Sequence, residues 1–306
     1  MLLNHEQQVE TLHAAAREAG VEIERDDVAW RDEAIDANGL RLHYLDWGTA
    51  GQPPMLLLHG GMQTAHSWDI AALAMKRRYH VVAPDLRGHG DSDWSDAGDY
   101  GHATHAADVR AIMRHLGWER CVLIGLSLGG MTALRLAADG DTPLDALVIV
   151  DVGPELNPRG VGRITEFRRA PGELDSVDEF IERAVAYNPR RRAEQLRYSL
   201  THNLRRLASG KYTWKYDRRI GERGQTGPRR FDELWDALGQ IRCPTLVVRG
   251  AQSDIFAEET GRRMVDLIPD ARFVTVPDAG HTVPQDNPAG FLAVVEPFLE
   301  EHRASS

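Results

Sequence analysis

The chain has 306 residues, 42% of them hydrophobic and 27% charged, which is the balance of a globular protein of one large domain or two ordinary ones. A formal charge of -10 argues against a general nucleic-acid or anionic-membrane partner, and the two cysteines, Cys121 and Cys243, lie in or beside apolar runs as small hydrophobes rather than as a disulfide or metal pair. No apolar run approaches the roughly 18 residues of a membrane span, and Asn4-His5-Glu6-Gln7-Gln8 turns polar too early for a signal peptide, so the expected location is cytoplasmic. In chain order, residues 5–19 predict an amphipathic helix with Val9, Leu12, Ala15 and Ala16 on one face. From Ile35 the pattern turns to strands. Leu40 to Leu45 alternates with period two, as an edge antiparallel strand would, whereas 55–58 and 81–83 are fully apolar and predict strands buried on both faces. Helices are predicted at 67–75 and 104–116, then a strand at 121–124, a helix at 130–138 and a strand at 146–150.

After Val150 the alternation of strand and helix stops. It resumes with a strand at 245–248, a helix at 258–267, a strand at 272–276 and a helix at 289–300. Such alternation predicts a mainly parallel sheet covered by helices on both faces. The interruption, 152–230, shows helical patterns at 177–187 and 192–207 and no convincing strand, and is too long for a loop. It reads as a helical insertion holding 18 Lys+Arg and 10 Asp+Glu, a net of +8 in a chain of -10. That charge is either a solvated basic surface facing an acidic core or a lid that draws in anionic substrates.

The stretch that carries chemistry is Gly125-Leu126-Ser127-Leu128-Gly129, set between an apolar strand and a helix. G-x-S-x-G in that setting places a serine at the tip of a strained strand-to-helix turn. A serine hydroxyl needs a base to take its proton, and the base needs an orienting acid. Downstream of residue 250 the histidines are His281 and His302, and His281 follows the last strand, so it is the expected base. Two aspartates compete as the orienting acid. Asp254 follows the strand 245–248 and is preferred; Asp151 closes the strand 146–150 and is the reserve, with the first turn of the insertion as its expected task. An oxyanion would need two backbone N–H donors. Leu128 supplies one; the loop His59-Gly60-Gly61-Met62 supplies the other, from Gly61 first or Met62 second, with His59 supporting the loop. Candidate pocket walls are Met62, Trp68, Val152, Trp214, Phe256 and Val283. No metal motif, phosphate loop or dinucleotide fingerprint is present, so no cofactor or metal is expected.

His59-Gly60-Gly61, the run Ala83-Pro84-Asp85-Leu86-Arg87-Gly88-His89-Gly90-Asp91-Ser92, the turn at Ser127, Asp254 and Gly280-His281 together resemble the α/β-hydrolase superfamily, in the subgroup with a helical cap, over residues 35–300. The resemblance implies an α/β-hydrolase fold: an eight-stranded, mostly parallel sheet with a cap inserted after strand six. The expected division is an N-terminal extension at 1–32, a core at 33–151 and 231–306, and a cap at 152–230. Dehalogenases and epoxide hydrolases of this resemblance carry an aspartate where Ser127 stands, so those activities are not expected. The expected activity is hydrolysis of a carboxylic ester or lactone, a small-molecule acyl substrate, through an acyl-serine intermediate. Alternatives are a carbon–carbon hydrolase of a vinylogous diketone acid, weakened because Met62-Gln63-Thr64 replaces a Gly-Pro-Gly segment, a perhydrolase or haloperoxidase side activity, and a slow receptor-like hydrolase or ligand sensor. Oligomeric state is not legible.

Overall fold

A computed structural model describes residues 2–22, 30–48, 51–220 and 232–303. Helix α1 spans His5–Glu18 and is started by a capping box between Asn4 and Gln7. Strands β1 (Arg31–Ala37), β2 (Leu40–Asp46) and β3 (Pro54–Leu58) follow, then a short 3-10 turn at Ala65–Trp68 and α2 (Asp69–Met75). Next come β4 (His80–Pro84), α3 (His102–His115), β5 (Cys121–Leu126), α4 (Leu128–Asp139) and β6 (Leu144–Val150). The segment after β6 holds α5 (Pro158–Arg169), β7 (Glu173–Leu174), α6 (Val177–Tyr187), α7 (Ala193–Asn203), β8 (Leu204–Arg206) and β9 (Tyr212–Trp214). The chain ends with α8 (Asp232–Ala237), β10 (Thr245–Gly250), α9 (Glu258–Leu267), β11 (Ala271–Val276), α10 (Val283–Asp286) and α11 (Pro288–Glu301).

Eight strands form one sheet in the order β1-β2-β4-β3-β5-β6-β10-β11. The pairs β1–β2 and β2–β4 are antiparallel and the rest are parallel. Helices cover both faces, as the unbroken burial of β3 to β6 requires. Leu12, Ala72 and Phe291, from α1, α2 and α11, pack on one face. Val109, Leu134, Trp235 and Met264, from α3, α4, α8 and α9, pack on the other. The chain runs from β3 outward to β4 and then returns to the opposite side of β3 as β5. That reversal opens a crevice beyond the carboxyl ends of β3 and β5, where open α/β sheets take their ligands.

Two expectations are corrected. β2 is an interior strand, flanked by β1 and β4; the edge is β1, whose polar sequence buries only Ile35. The segment after β6 is not purely helical: β7, β9 and β8 form a small antiparallel sheet, and α7 stops at Asn203 instead of continuing to Leu207. A hairpin turns at Gly210, whose φ of +89° suits glycine, and Leu207 N–H donates to Lys211 O at 2.7 Å. Val177, Phe180, Leu200 and Trp214 form this segment's own apolar cluster. The expected junction of cap and core at 230/231 lies outside the described residues, as do positions 23–29 of the N-terminal extension.

Candidate active site

β5 delivers Ser127 to the crevice with φ 53° and ψ -113°, a conformation that only a rigid surround maintains. The surround is visible at the two flanking glycines. A Cβ on Gly125 would stand 2.4 Å from Gly129 O, and one on Gly129 would stand 2.2 Å from Leu58 O. Backbone bonds fix the turn: Ser127 N–H donates to Val150 O at 3.1 Å and Gly129 N–H to His59 O at 3.1 Å.

Ser127 Oγ lies 3.0 Å from His281 Nε2, and His281 Nδ1 lies 2.8 Å from Asp151 Oδ2. The carboxylate that meets His281 is Asp151, the reserve, and not the preferred Asp254, a correction. The reason is local. Beyond β10, Ser253 donates to Asp151 Oδ2 at 2.5 Å, whereas the adjacent Asp254, which lines the cavity, is engaged by Arg163, its Oδ2 accepting from Nη1 at 2.6 Å. Asp151 is fully buried with a φ of 52°, and Gly250 N–H donates to its Oδ1 at 2.8 Å. Burial pushes its pKa above the usual carboxylate value, and the bonds from His281, Ser253 and Gly250 oppose that rise. Asp151 holds the histidine rather than the first turn of the insertion.

The loop after β3 closes on the serine: a Cβ at Gly60 would meet Ser127 Cβ at 3.4 Å. Gly60 N–H is used by Gln63 Oε1 at 2.9 Å, and Gln63 N–H returns to Gly60 O at 3.2 Å, with Met62 at φ 64° between them. Gly61 and Met62 line the same cavity as Ser127. Leu128 is the first residue of α4, where no preceding helical carbonyl takes its N–H. His59 is wholly buried; its Nδ1–H donates to Gly60 O at 2.7 Å and its Nε2 accepts from Leu86 N–H at 2.9 Å. Burial holds this imidazole below its ordinary pKa, in the neutral form those two bonds need.

Ser127 and His281 open into a cavity of about 290 Å³, at the small end for small-molecule pockets. Of the expected walls, Met62, Val152 and Trp214 line it. Trp68, Phe256 and Val283 do not, a correction: they are 1%, 1% and 0% exposed and pack in the two sheet-face cores. Sequence reasoning missed Ser253, a small polar residue next to the favoured aspartate, and Gln63, which braces the loop. It also missed that α5 and the turn before α7 bring arginines to the cavity. Among the described residues, two groups bring metal-capable side chains within 4.8 Å of one another: His66, Asp69 and His202, and His43, Asp85 and Asp91. Each already holds a histidine–aspartate contact. His66 Nδ1 and the Tyr198 hydroxyl both meet Asp69 Oδ2, and His43 Nδ1 lies 2.8 Å from Asp85. Neither group lines the catalytic cavity. No helix among the described residues is long and apolar enough to cross a membrane.

A serine–histidine–aspartate line at the switch point of a mainly parallel sheet defines an α/β-hydrolase, and the family model for the alpha/beta hydrolase fold matches residues 53–288; the chain belongs to that family. It is similar to an esterase of Mycobacterium tuberculosis, 31% identical over 84% of this chain and 85% of that protein. It is also similar to a 3-hydroxybutyrate-oligomer hydrolase of Cupriavidus necator, 31% identical over 87% and 96%. Among solved structures, an alpha/beta hydrolase from Novosphingobium aromaticivorans superposes with a TM-score of 0.76 at 31% identity, covering 89% of this chain and 98% of that one.

Proposed function

We propose that the protein hydrolyses a carboxylic ester or lactone through an acyl-Ser127 intermediate. The observation that carries the reading is the contact of 3.0 Å between Ser127 Oγ and His281 Nε2, backed by the 2.8 Å contact of His281 with Asp151. His281 Nε2 takes the serine proton as Oγ attacks the carbonyl carbon, and returns it to the leaving alkoxide as the C–O bond breaks. A water then gives its proton to His281 and attacks the acyl carbon. His281 returns the proton to Ser127 Oγ, and the acid is released. Asp151 keeps Nδ1 protonated and Nε2 free to act. The N–H groups of Leu128 and of Gly61, with Met62 as the second choice, face the oxyanion; losing one such donor typically costs about 2.7–4 kcal/mol. The relative named an esterase supports the class of bond.

The test is covalent labelling by a fluorophosphonate probe together with turnover of a short-chain p-nitrophenyl ester. Wild type is expected to label and turn over, and Ser127→Ala to do neither. Labelling of Ser127→Ala would remove the serine from its role. Inertness toward a panel of esters and lactones, with turnover of a vinylogous diketone acid, would replace ester hydrolysis by carbon–carbon hydrolysis.

A further inference from the structure

Four arginines line the catalytic cavity: Arg163, Arg168, Arg190 and Arg191. Three have short bonds that account for their placement. Arg163 pairs with Asp254 at 2.6 Å and reaches Tyr187 O at 2.9 Å. Arg168 donates to Ile220 O at 2.8 Å, and Arg190 Nε donates to Gln252 Oε1 at 2.5 Å. Arg191 differs. Its Nη2 has only long contacts, 3.5 Å to Gln195 O and 3.4 Å to Ser199 Oγ, and its Nε is buried without a hydrogen-bond partner among the described residues. The acid that acts on it is Asp286, but that carboxylate is committed elsewhere. Gly280 N–H holds one oxygen at 2.9 Å, and Asn188 Nδ2 and Thr282 Oγ1 hold the other at 3.0 and 2.8 Å. Burial pushes the guanidinium below its ordinary pKa, the mark of a cation short of compensation.

Arg191 is half-buried and opens to the cavity, so an entering anion can take its unfilled donors. Two further features favour an anion there. Arg191 lies two residues before Ala193, the start of α7, where the helix dipole adds positive potential. The wall from Val152, Phe167 and Trp214 is apolar and suits a short carbon chain between two polar ends. We propose that Arg191 determines substrate specificity by receiving a carboxylate carried by the ester at the end remote from the scissile bond. The substrate class is then a short ester bearing a free carboxylate, such as a dicarboxylic acid monoester. A planar guanidinium can take such a group through two parallel hydrogen bonds.

This rests on the ester reading above, and the experiment separates the two. Rates of hydrolysis of monomethyl glutarate and dimethyl glutarate are compared near neutral pH by pH-stat in wild type, Arg191→Met and Arg191→Lys. Wild type is expected to prefer the anionic ester. In Arg191→Met the ratio of kcat/KM, monomethyl over dimethyl, falls roughly tenfold to a hundredfold, mainly through KM, and Arg191→Lys restores part of it. The melting temperature of Arg191→Met is retained or raised, because the side chain removed had no short partner. Calorimetry of glutarate binding to Ser127→Ala, with and without Arg191→Met, reads the same subsite without turnover. An unchanged ester ratio, or glutarate binding indifferent to Arg191, overturns the proposal. If neither glutarate ester is turned over, the p-nitrophenyl ester assay decides the ester reading and calorimetry alone decides the anion subsite.

Discussion

The Asp151 carboxylate is buried at the end of β6 and receives three hydrogen bonds, from His281, Ser253 and Gly250 N–H. Asp254, four residues beyond β10, lines the same cavity, but its side chain is 35% exposed and bound to Arg163. Asp151→Asn keeps the shape but changes which proton the histidine presents, so kcat is expected to drop about 10³–10⁴-fold. Asp254→Asn frees Arg163 at the cavity mouth and is expected to act on KM, by about tenfold or less, with kcat largely kept. Steady-state kinetics on both variants checks this; equal losses in kcat would contradict the assignment. The sequence made Ser127 and His281 legible because a motif and a chain order single them out. The acid was not legible: both aspartates follow strands at the same sheet edge. What separates them is the direction of two successive side chains, Ser253 and Asp254, in an irregular turn with no period to read.

At the scale of elements, legibility followed burial. β3, β5, β6 and β10 are apolar on both faces, and α9 begins and ends where its pattern places it, Glu258–Leu267. β1 escaped partly because an edge strand needs only one buried residue, Ile35. α5 escaped although Asn157 caps it and Pro158 opens it: its apolar stripe, Val161, Ile164 and Phe167, is short and lines the cavity, and only Gly160 on it is buried. The N-terminal helix was legible as a helix but not in its use. α1 packs Leu12 and Ala16 into the sheet-face core, while Leu3 N–H donates to Thr201 Oγ1 at 3.1 Å and Glu18 pairs with Arg192, both on or beside α7. It therefore straps α7, and with it Arg191, to the core. Leu12→Ala is expected to cost about 2–5 kcal/mol of stability and to raise KM for substrate together with it. Chemical denaturation and kinetics on this one variant check both; a lower stability with KM unchanged would mean that α1 supports only the core.

Stability of the whole molecule is tied to pH through a buried ion pair outside the catalytic cavity. His43 on β2, 5% exposed, lies 2.8 Å from Asp85 and 3.2 Å from Asp32. Burial disfavours its charge, but the bonds to Asp32 and Asp85 outweigh that and raise its pKa to about 9. Asp85 in turn accepts from Ala65 N–H at 2.7 Å and Asp91 N–H at 2.9 Å, so the pair joins β2, the loop after β3 and the loop after β4. The folded chain holds this proton more tightly than the unfolded chain, whose histidine titrates near 6.5. The stabilisation is thus complete below about pH 6.5 and is lost as pH rises through about 9, because the unfolded state binds fewer protons across that window. The slope is at most about 1.4 kcal/mol per pH unit for one proton. His43→Gln cannot carry the charge, so this variant is expected to be less stable than wild type at pH 6 and to lose less stability between pH 7 and 9. Urea unfolding at several pH values measures both. Parallel curves for the two proteins would place the alkaline loss elsewhere and leave His43 neutral in the folded chain.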